Sequence, residues 1–92
     1  GDLVIDVDAR MVHVDHAPVE VTRTEFDLLD ALSERPRMVW SRGKLLERIR
    51  GSAEYRDEHV IDVHIGNLRR KLDDPDAIET VRGVGYRMGA RP

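Results

Sequence analysis

The sequence predicts an α+β fold: an N-terminal antiparallel β-sheet, then three helices, then a C-terminal β-hairpin. Three observations carry this reading. Short β-branched runs with period-2 alternation fill the first 21 residues, and a helical period follows. The change of period falls on a capping box, Thr22-Arg23-Thr24-Glu25. Near the other end, two further extended runs flank Gly83-Val84-Gly85, as in a hairpin with a glycine-rich tip. A chain of 92 residues holds one small core. The expected layout is a single domain: a sheet over residues 1–21, a three-helix core over 22–74 and a hairpin over 77–90, with no linker long enough to divide it.

Each element has a local reason. Leu3–Val7 and Met11–Val14 are β-branched and bounded by the turn residues Asp8-Ala9-Arg10 and Asp15-His16. Val19 and Val21 flank Glu20 in the alternation of a third strand. In the capping box, the Thr22 hydroxyl can accept the Glu25 amide while the Glu25 carboxylate reaches back to the Thr22 N–H. Val21 and Phe26 are spaced for a hydrophobic staple across that cap. Phe26, Leu29 and Leu32, with Leu28 beside them, form the apolar stripe of the first helix, which Pro36 stops. Met38-Val39-Trp40 reads as a short extended link. Ser41 caps a second helix with Leu45, Leu46 and Ile49 inward and Gly51 as its stop. Ser52–Arg56 reads as loop. Asp57 can cap a third helix running to about Leu72, where Asp73-Asp74-Pro75 ends it. Ile78–Arg82 and Tyr86–Met88 are the hairpin strands.

Composition removes several classes of function. Apolar residues are 40% and charged residues 36%, a folded balance rather than a disordered one. The chain has no cysteine, which excludes disulfides and thiolate metal sites. No run approaches the roughly 20 apolar residues of a membrane span, and no signal segment opens the chain, so the expected compartment is the cytoplasm and no membrane partner is expected. The net charge of −3 conceals a division, because residues 1–34 carry nine acidic and two basic side chains whereas residues 35–92 carry nine acidic and thirteen basic. Thirteen of the fifteen basic residues are Arg, which suits bidentate recognition of phosphates and base edges.

The third helix gives the functional signal. At 100° per residue, Ile61, Ile65, Leu68 and Leu72 form a core stripe. The opposite face holds Val63 and Arg70, flanked by His59, Gly66 and Asn67, with no carboxylate on it. Asp62 sits to the side near Arg69. Arg69, Arg70 and Lys71 crowd the last turn, where they also suit the helix dipole, so sound helix construction with no partner is the plain alternative. The functional reading places this face in a DNA major groove, where Arg reads guanine, Asn reads adenine and Val touches a thymine methyl. A helix pair followed by a hairpin with Arg82 near its tip is the winged helix-turn-helix arrangement, and Arg82 would reach the minor groove.

Asp62-Val63-His64-Ile65, Leu68-Arg69-Arg70-Lys71-Leu72 and Thr80-Val81-Arg82-Gly83-Val84-Gly85-Tyr86-Arg87 resemble the C-terminal effector domain of OmpR/PhoB-family response regulators. Thr22–Leu29 and Ser41–Leu46 are similar to that family's other two helix starts. The resemblance covers nearly the whole chain. It implies a transcription factor that binds tandem half-sites of double-stranded DNA, third helix in the major groove and wing in the minor groove. It further implies a full-length protein with an N-terminal receiver domain, absent from this chain, and a partner sensor histidine kinase. By position, Arg42 would meet a phosphate. Val63, Asn67 and Arg70 would face the groove floor, with His64 and Arg69 nearer the backbone, and Thr80 and Arg82 would act from the wing. Arg50 and His59 complete the implied DNA-binding set, each departing from the residue type frequent there. Positions 66 and 67, often basic in the family, are Gly66 and Asn67. The loop Ser52, Ala53, Glu54, Tyr55 and Arg56 would be the one that can contact RNA polymerase.

Other chemistries find no support in the residues. His13 and His16 run from a strand into a turn, and His59 and His64 do not share a helix face, so no metal and no cofactor are expected. Gly83-Val84-Gly85 opens no helix and is no nucleotide fingerprint. Asp73, Asp74 and Asp76 fail the Ca²⁺-loop spacing. No nucleophile, base and acid occur at a recognisable spacing, so the expectation is that the protein is no enzyme. The remaining alternative is a winged helix used mainly for protein contact, which would enrich aromatics and Met on the outward face of the third helix.

Overall fold

The structure is a computed structural model, and it describes residues 2–49 and 57–89. Within them the order is β1 (Leu3–Asp6), β2 (Met11–Val14), β3 (Ala17–Val19), α1 (Arg23–Glu34), β4 (Trp40–Ser41), α2 (Arg42–Ile49), α3 (His59–Lys71), β5 (Ile78–Val81) and β6 (Gly85–Met88). The strands form two antiparallel sheets, β1-β2-β3 and β4-β6-β5.

The N-terminal sheet is a meander with Ile5 opposite Val12 and Val12 opposite Val19. Its inner face, Leu3, Ile5, Val12, Val14 and Val19, lies on the core, while Val4 and Met11 are exposed. Asp15 and His16 both have positive φ, 50° and 72°, and form a two-residue turn that matches strand twist. The Asp15 carboxylate fixes this turn by accepting the Asp2 N–H at 2.7 Å. That tight turn starts the third strand at Ala17 rather than at Val19, and Val21 falls outside it. The strand therefore contains Pro18, which an edge position tolerates because no ladder N–H is needed there.

The capping box at Thr22 forms in both directions: Glu25 N–H to Thr22 Oγ1 at 3.1 Å, and Thr22 N–H to Glu25 Oε1 at 2.9 Å. α1 is the central element. It buries Phe26, Leu28, Leu29, Ala31 and Leu32 against α2, α3 and β6. Ser41 caps α2 through Oγ, which accepts the Lys44 N–H at 3.1 Å. Trp40, expected in a connecting link, instead pairs with Tyr86 as β4 joins the hairpin. Gly85 makes that union possible, since a Cβ there would lie 1.9 Å from the Trp40 carbonyl oxygen.

The N-cap of α3 is Glu58, one residue later than expected and without a side-chain cap bond; Asp57 instead leads the chain into the helix, its carboxylate accepting the His59 N–H at 2.9 Å and its carbonyl the Val60 N–H. α3 puts Ile61, Ile65 and Leu68 fully inside, followed by the buried Leu72. It ends in a Schellman motif, Asp73 N–H to Arg70 O and Asp74 N–H to Arg69 O, with Asp73 at φ 52° in the place glycine usually takes. No described helix is long and apolar enough to cross a membrane.

Candidate nucleic-acid interface

The core stripe of α3 forces the opposite stripe outward. His59, Val63, Gly66 and Arg70, spaced four, three and four residues apart, are all exposed, with Asn67 half-buried beside them. Val63 is 60% exposed, the most exposed of the large apolar side chains among the described residues. The Arg70 side chain has no hydrogen-bond or ion-pair partner among the described residues. At the hairpin tip, Arg82 and Gly83 occupy the centre of a turn closed by Val84 N–H to Val81 O at 2.9 Å. Gly83 has φ 75° at the second central position, where a type II turn requires a positive value. This turn presents the exposed Arg82 and the 51%-exposed Val84.

Three further cations, Arg42, Arg69 and Lys71, are held by the protein. Asp62, one residue off the outward stripe, accepts hydrogen bonds on Oδ1 from Arg42 Nε at 2.7 Å and from the Tyr86 hydroxyl. His59 Nδ1 lies 3.6 Å from its other oxygen. One carboxylate thus joins the start of α2, the first half of α3 and β6. The Tyr86 hydroxyl is the main reason that the Asp62 carboxyl sits below its ordinary pKa, with Arg42 adding to the effect against partial burial. Burial, then the hydrogen bond to Asp62 and its charge, push the Tyr86 phenol up. Arg42 is raised, first by its bond to Asp62.

Arg69 reaches the other way. Its Nε and Nη2 both donate to the Ile78 carbonyl, at 3.1 and 2.6 Å, and Nη2 also donates to Thr80 Oγ1 at 2.7 Å. The guanidinium groups of Arg42 and Arg69 lie 5.3 and 5.7 Å from the Tyr86 ring centroid, within cation–π range. A third tie secures the end of α3: Lys71 Nζ donates to Glu25 Oε1 at 2.7 Å. Glu25 is 1% exposed. Burial pushes its carboxyl up, but Lys71 and the Thr22 amide together hold it below the ordinary value.

The structure therefore sorts the residues that the sequence singled out. His59, Val63, Asn67 and Arg70 share the open side of α3, and Arg82 stands at the wing tip. Arg42 stands at the head of α2, bonded to Asp62. Arg69 and Thr80, expected to act toward DNA, are bonded to one another and brace the wing. His64, expected nearer the DNA backbone, is half-buried, and its Nδ1 is fully buried without a partner, so that edge of the ring faces the protein. Arg50 and the loop Ser52, Ala53, Glu54, Tyr55 and Arg56 lie outside the described residues. Sequence reasoning missed Tyr86 and Glu25 as organisers and set Asp62 aside. The usable signal for Asp62 was a lone carboxylate beside a face otherwise free of them.

A groove of about 790 Å³ is lined by Leu3, Ile5, Pro36, Arg37 and Met88 among others, and no residue of the α3 stripe borders it. No group of three potential metal ligands occurs among the described residues.

Comparison with known proteins gives a consistent picture. Residues 16–88 match the family described as "Transcriptional regulatory protein, C terminal". The chain is 41% identical to the DNA-binding response regulator MtrA of Mycolicibacterium smegmatis, over 97% of this chain and 41% of that protein. It is 42% identical to the phosphate regulon transcriptional regulatory protein PhoB of Rhizobium meliloti, over 96% of this chain and 40% of that one. It thus spans about two fifths of the curated relatives it matches. Among solved structures, the DNA-binding domain of AdeR in complex with an intercistronic region superposes with a TM-score of 0.85 at 29% identity, over 99% of this chain and 97% of that one. The DNA-binding domain of Klebsiella pneumoniae RstA in complex with the RstA box gives 0.83 at 32% identity, over 97% and 92% of the two chains.

Proposed function

Because the chain belongs to the family of C-terminal transcriptional regulatory domains carried by OmpR/PhoB-type response regulators, we propose that it binds double-stranded DNA in a sequence-specific manner and so controls transcription. In this reading α3 enters the major groove and the wing reaches the minor groove. The observation that carries it is the contrast between cations. Arg70 and Arg82 project from one open surface without partners among the described residues, while Arg42 and Arg69 are fixed by Asp62, Ile78 and Thr80. An α-helix of this width fits the major groove, and Arg70, Asn67 and Val63 match guanine, adenine and the thymine methyl in turn. The narrow minor groove favours an inserted Arg such as Arg82. A protein-contact surface would be rich in aromatics and Met, and the outward stripe His59, Val63, Gly66 and Arg70 has neither.

The same reading extends to the full-length protein. A receiver domain preceding this one, phosphorylated by a sensor histidine kinase in the cytoplasm, would pair two such domains on tandem half-sites. The segment 52–56 would face RNA polymerase. The catalytic side of that relay lies with the kinase and receiver, and this domain performs no chemistry.

Selection from a random duplex library, followed by salt titration of the winner, tests the proposal. The expected result is a short motif, with log K falling by about 4 to 6 per log unit of salt. Arg70→Ala relaxes preference at one base pair, whereas Arg42→Ala weakens all sequences alike and lowers the salt slope by about one. Absence of any motif, with weak binding at low salt both for the single domain and for two tethered copies, overturns it.

A further inference from the structure

Gly66 stands in the middle of the outward stripe of α3, between Val63 and Arg70, and nothing among the described residues accounts for it. Relative to alanine, glycine in a helix interior shifts the folding equilibrium toward unfolding by about five-fold. Such a cost is usually explained by a positive φ or by crowding. Among the described glycines only Gly83 has a positive φ. A Cβ built on Gly66 meets no atom within 4 Å, whereas one on Gly85 or Gly89 would lie 1.9 Å from a backbone oxygen. The space above Gly66 is open on the side where the interface lies.

We propose that Gly66 forms a notch in the DNA-reading face of α3 that accepts the 5-methyl group of a thymine, making it a specificity-determining residue. This rests on the DNA-binding reading above. The stripe is a helical row in which Val63 raises an apolar wall one turn before Gly66 and Arg70 raises a long cationic side chain one turn after it. Between them the surface drops by one side chain. The thymine methyl is the apolar knob that the major groove offers to such a dent. A polar base edge would face the Gly66 Cα and the Val63 isopropyl group with nothing to bond, and so would bind worse there. Arg70 is then set for a guanine on the neighbouring step, and the notch lets the helix backbone approach closely enough for its guanidinium to reach.

The test uses the motif selected by the wild-type domain. Each thymine in it is replaced singly by deoxyuridine, which removes only the methyl, and binding is compared for wild type and Gly66→Ala. At one position the wild type is expected to lose about four-fold in affinity, the worth of one buried methyl. Gly66→Ala is expected to ignore that methyl. Its ratio of motif to random-duplex affinity falls by about ten-fold or more, while its melting temperature rises, which rules out misfolding as the cause. If Gly66→Ala keeps the wild-type ratio, or if wild type and variant respond alike to every deoxyuridine, the notch is refuted while DNA reading stands. If the wild type selects no motif, the DNA-binding reading falls and takes the notch with it.

Discussion

The Asp62 carboxylate is the junction on which the interface is assembled, and removing it tests that view. Asp62→Ala takes away the acceptor of the Tyr86 hydroxyl and of Arg42 Nε at once. Tyr86 is 5% exposed, so its hydroxyl is left without a partner inside the protein, at about 1–3 kcal/mol. Asp62 itself is 35% exposed on its side chain, so water can enter the gap and the cost falls in the lower half of that range. Arg42 is equally exposed, and its pair with Asp62 adds at most about 0.2–1 kcal/mol. The expected loss is roughly 2 kcal/mol, a fall in melting temperature of about 8–15 °C for a domain of this size.

Tyr86→Phe loses one hydrogen bond but leaves Asp62 paired with Arg42, and costs about 1 kcal/mol. The double variant carries no orphaned hydroxyl, so it should be more stable than the sum of the single losses by about 1 kcal/mol. Urea unfolding of the four proteins at pH 7 closes this cycle. Additivity within about 0.5 kcal/mol would refute the junction. The pH dependence has a fixed sign. The folded-state pKa of Asp62 is depressed, first by the Tyr86 hydroxyl and then by Arg42, so its contribution is present above the unfolded value near pH 4 and is lost as pH falls through the folded one. The gap in stability between wild type and Asp62→Asn should therefore narrow below about pH 4.

Lys71→Ala removes the cation from a Glu25 carboxylate that is almost wholly buried, with the Thr22 amide still bonded to it. A loss of about 1–2 kcal/mol at pH 7 is expected, below the 3–5 usual for a broken buried pair because Lys71 is 29% exposed. Without Lys71 less opposes the burial that pushes the Glu25 carboxyl up, so its ionisation no longer stabilises the fold, and the gap in stability to wild type should narrow as pH falls below about 4; a gap that does not change with pH would count against it. Gly85→Ala drives a Cβ to 1.9 Å from the Trp40 oxygen and must part β4 from β6, whereas Gly83→Ala has open space and only its φ of 75° to bear, about 1–2 kcal/mol. Thermal melts should rank Gly85→Ala far below Gly83→Ala, and equal losses would contradict the close approach. Arg69→Lys replaces a fork that makes three hydrogen bonds by a single ammonium. Faster hydrogen exchange across β5 and weaker specific DNA binding should follow, and wild-type exchange at Thr80 and Val81 would argue against the brace.

The features legible in the sequence are those whose partners lie within a turn or two. Thr22 and Glu25 are three residues apart, Ser41 caps Lys44, and the Ile61, Ile65, Leu68 and Leu72 stripe follows from helix geometry alone. Each has a fixed spacing that periodicity can detect. The two-residue strand Trp40–Ser41 has no pattern of its own, because it exists only through pairing with Tyr86 and Gly85. The start of β3 was hidden by Pro18, which reads as a strand breaker until the strand is known to be an edge. The partners of the residues that organise the interface are equally hidden, even where a residue such as Asp62 stands out. Arg42 meets Asp62 across 20 residues, Tyr86 meets it across 24, and Lys71 meets Glu25 across 46. A charge count treats all of these as surface residues, since pairing depends on tertiary placement.

That placement explains how a chain of net charge −3 can carry a surface suited to a polyanion. The nine acidic residues in the first 34 fall in the N-terminal sheet with its flanking segments and in α1, and the excess of Arg falls in the segments that build α2, α3 and the wing. The acids of α1 are largely taken up inside the fold, Glu25 by Lys71, Asp27 by Arg10, and Asp30 and Glu34 by Arg48, so they subtract little from the cations on the outward face. The tied Arg residues add a second effect. Arg42 and Arg69 would lose much of their rotamer freedom on meeting a phosphate, but Asp62, Tyr86 and the Ile78 carbonyl have already taken it. Ordering on contact then concerns mainly Arg70 and Arg82, and binding loses less free energy to it than four free Arg side chains would impose. Internal hydrogen bonds thus fix Arg42 and Arg69, while Arg70 on α3 and Arg82 at the hairpin tip keep their side chains free of partners among the described residues.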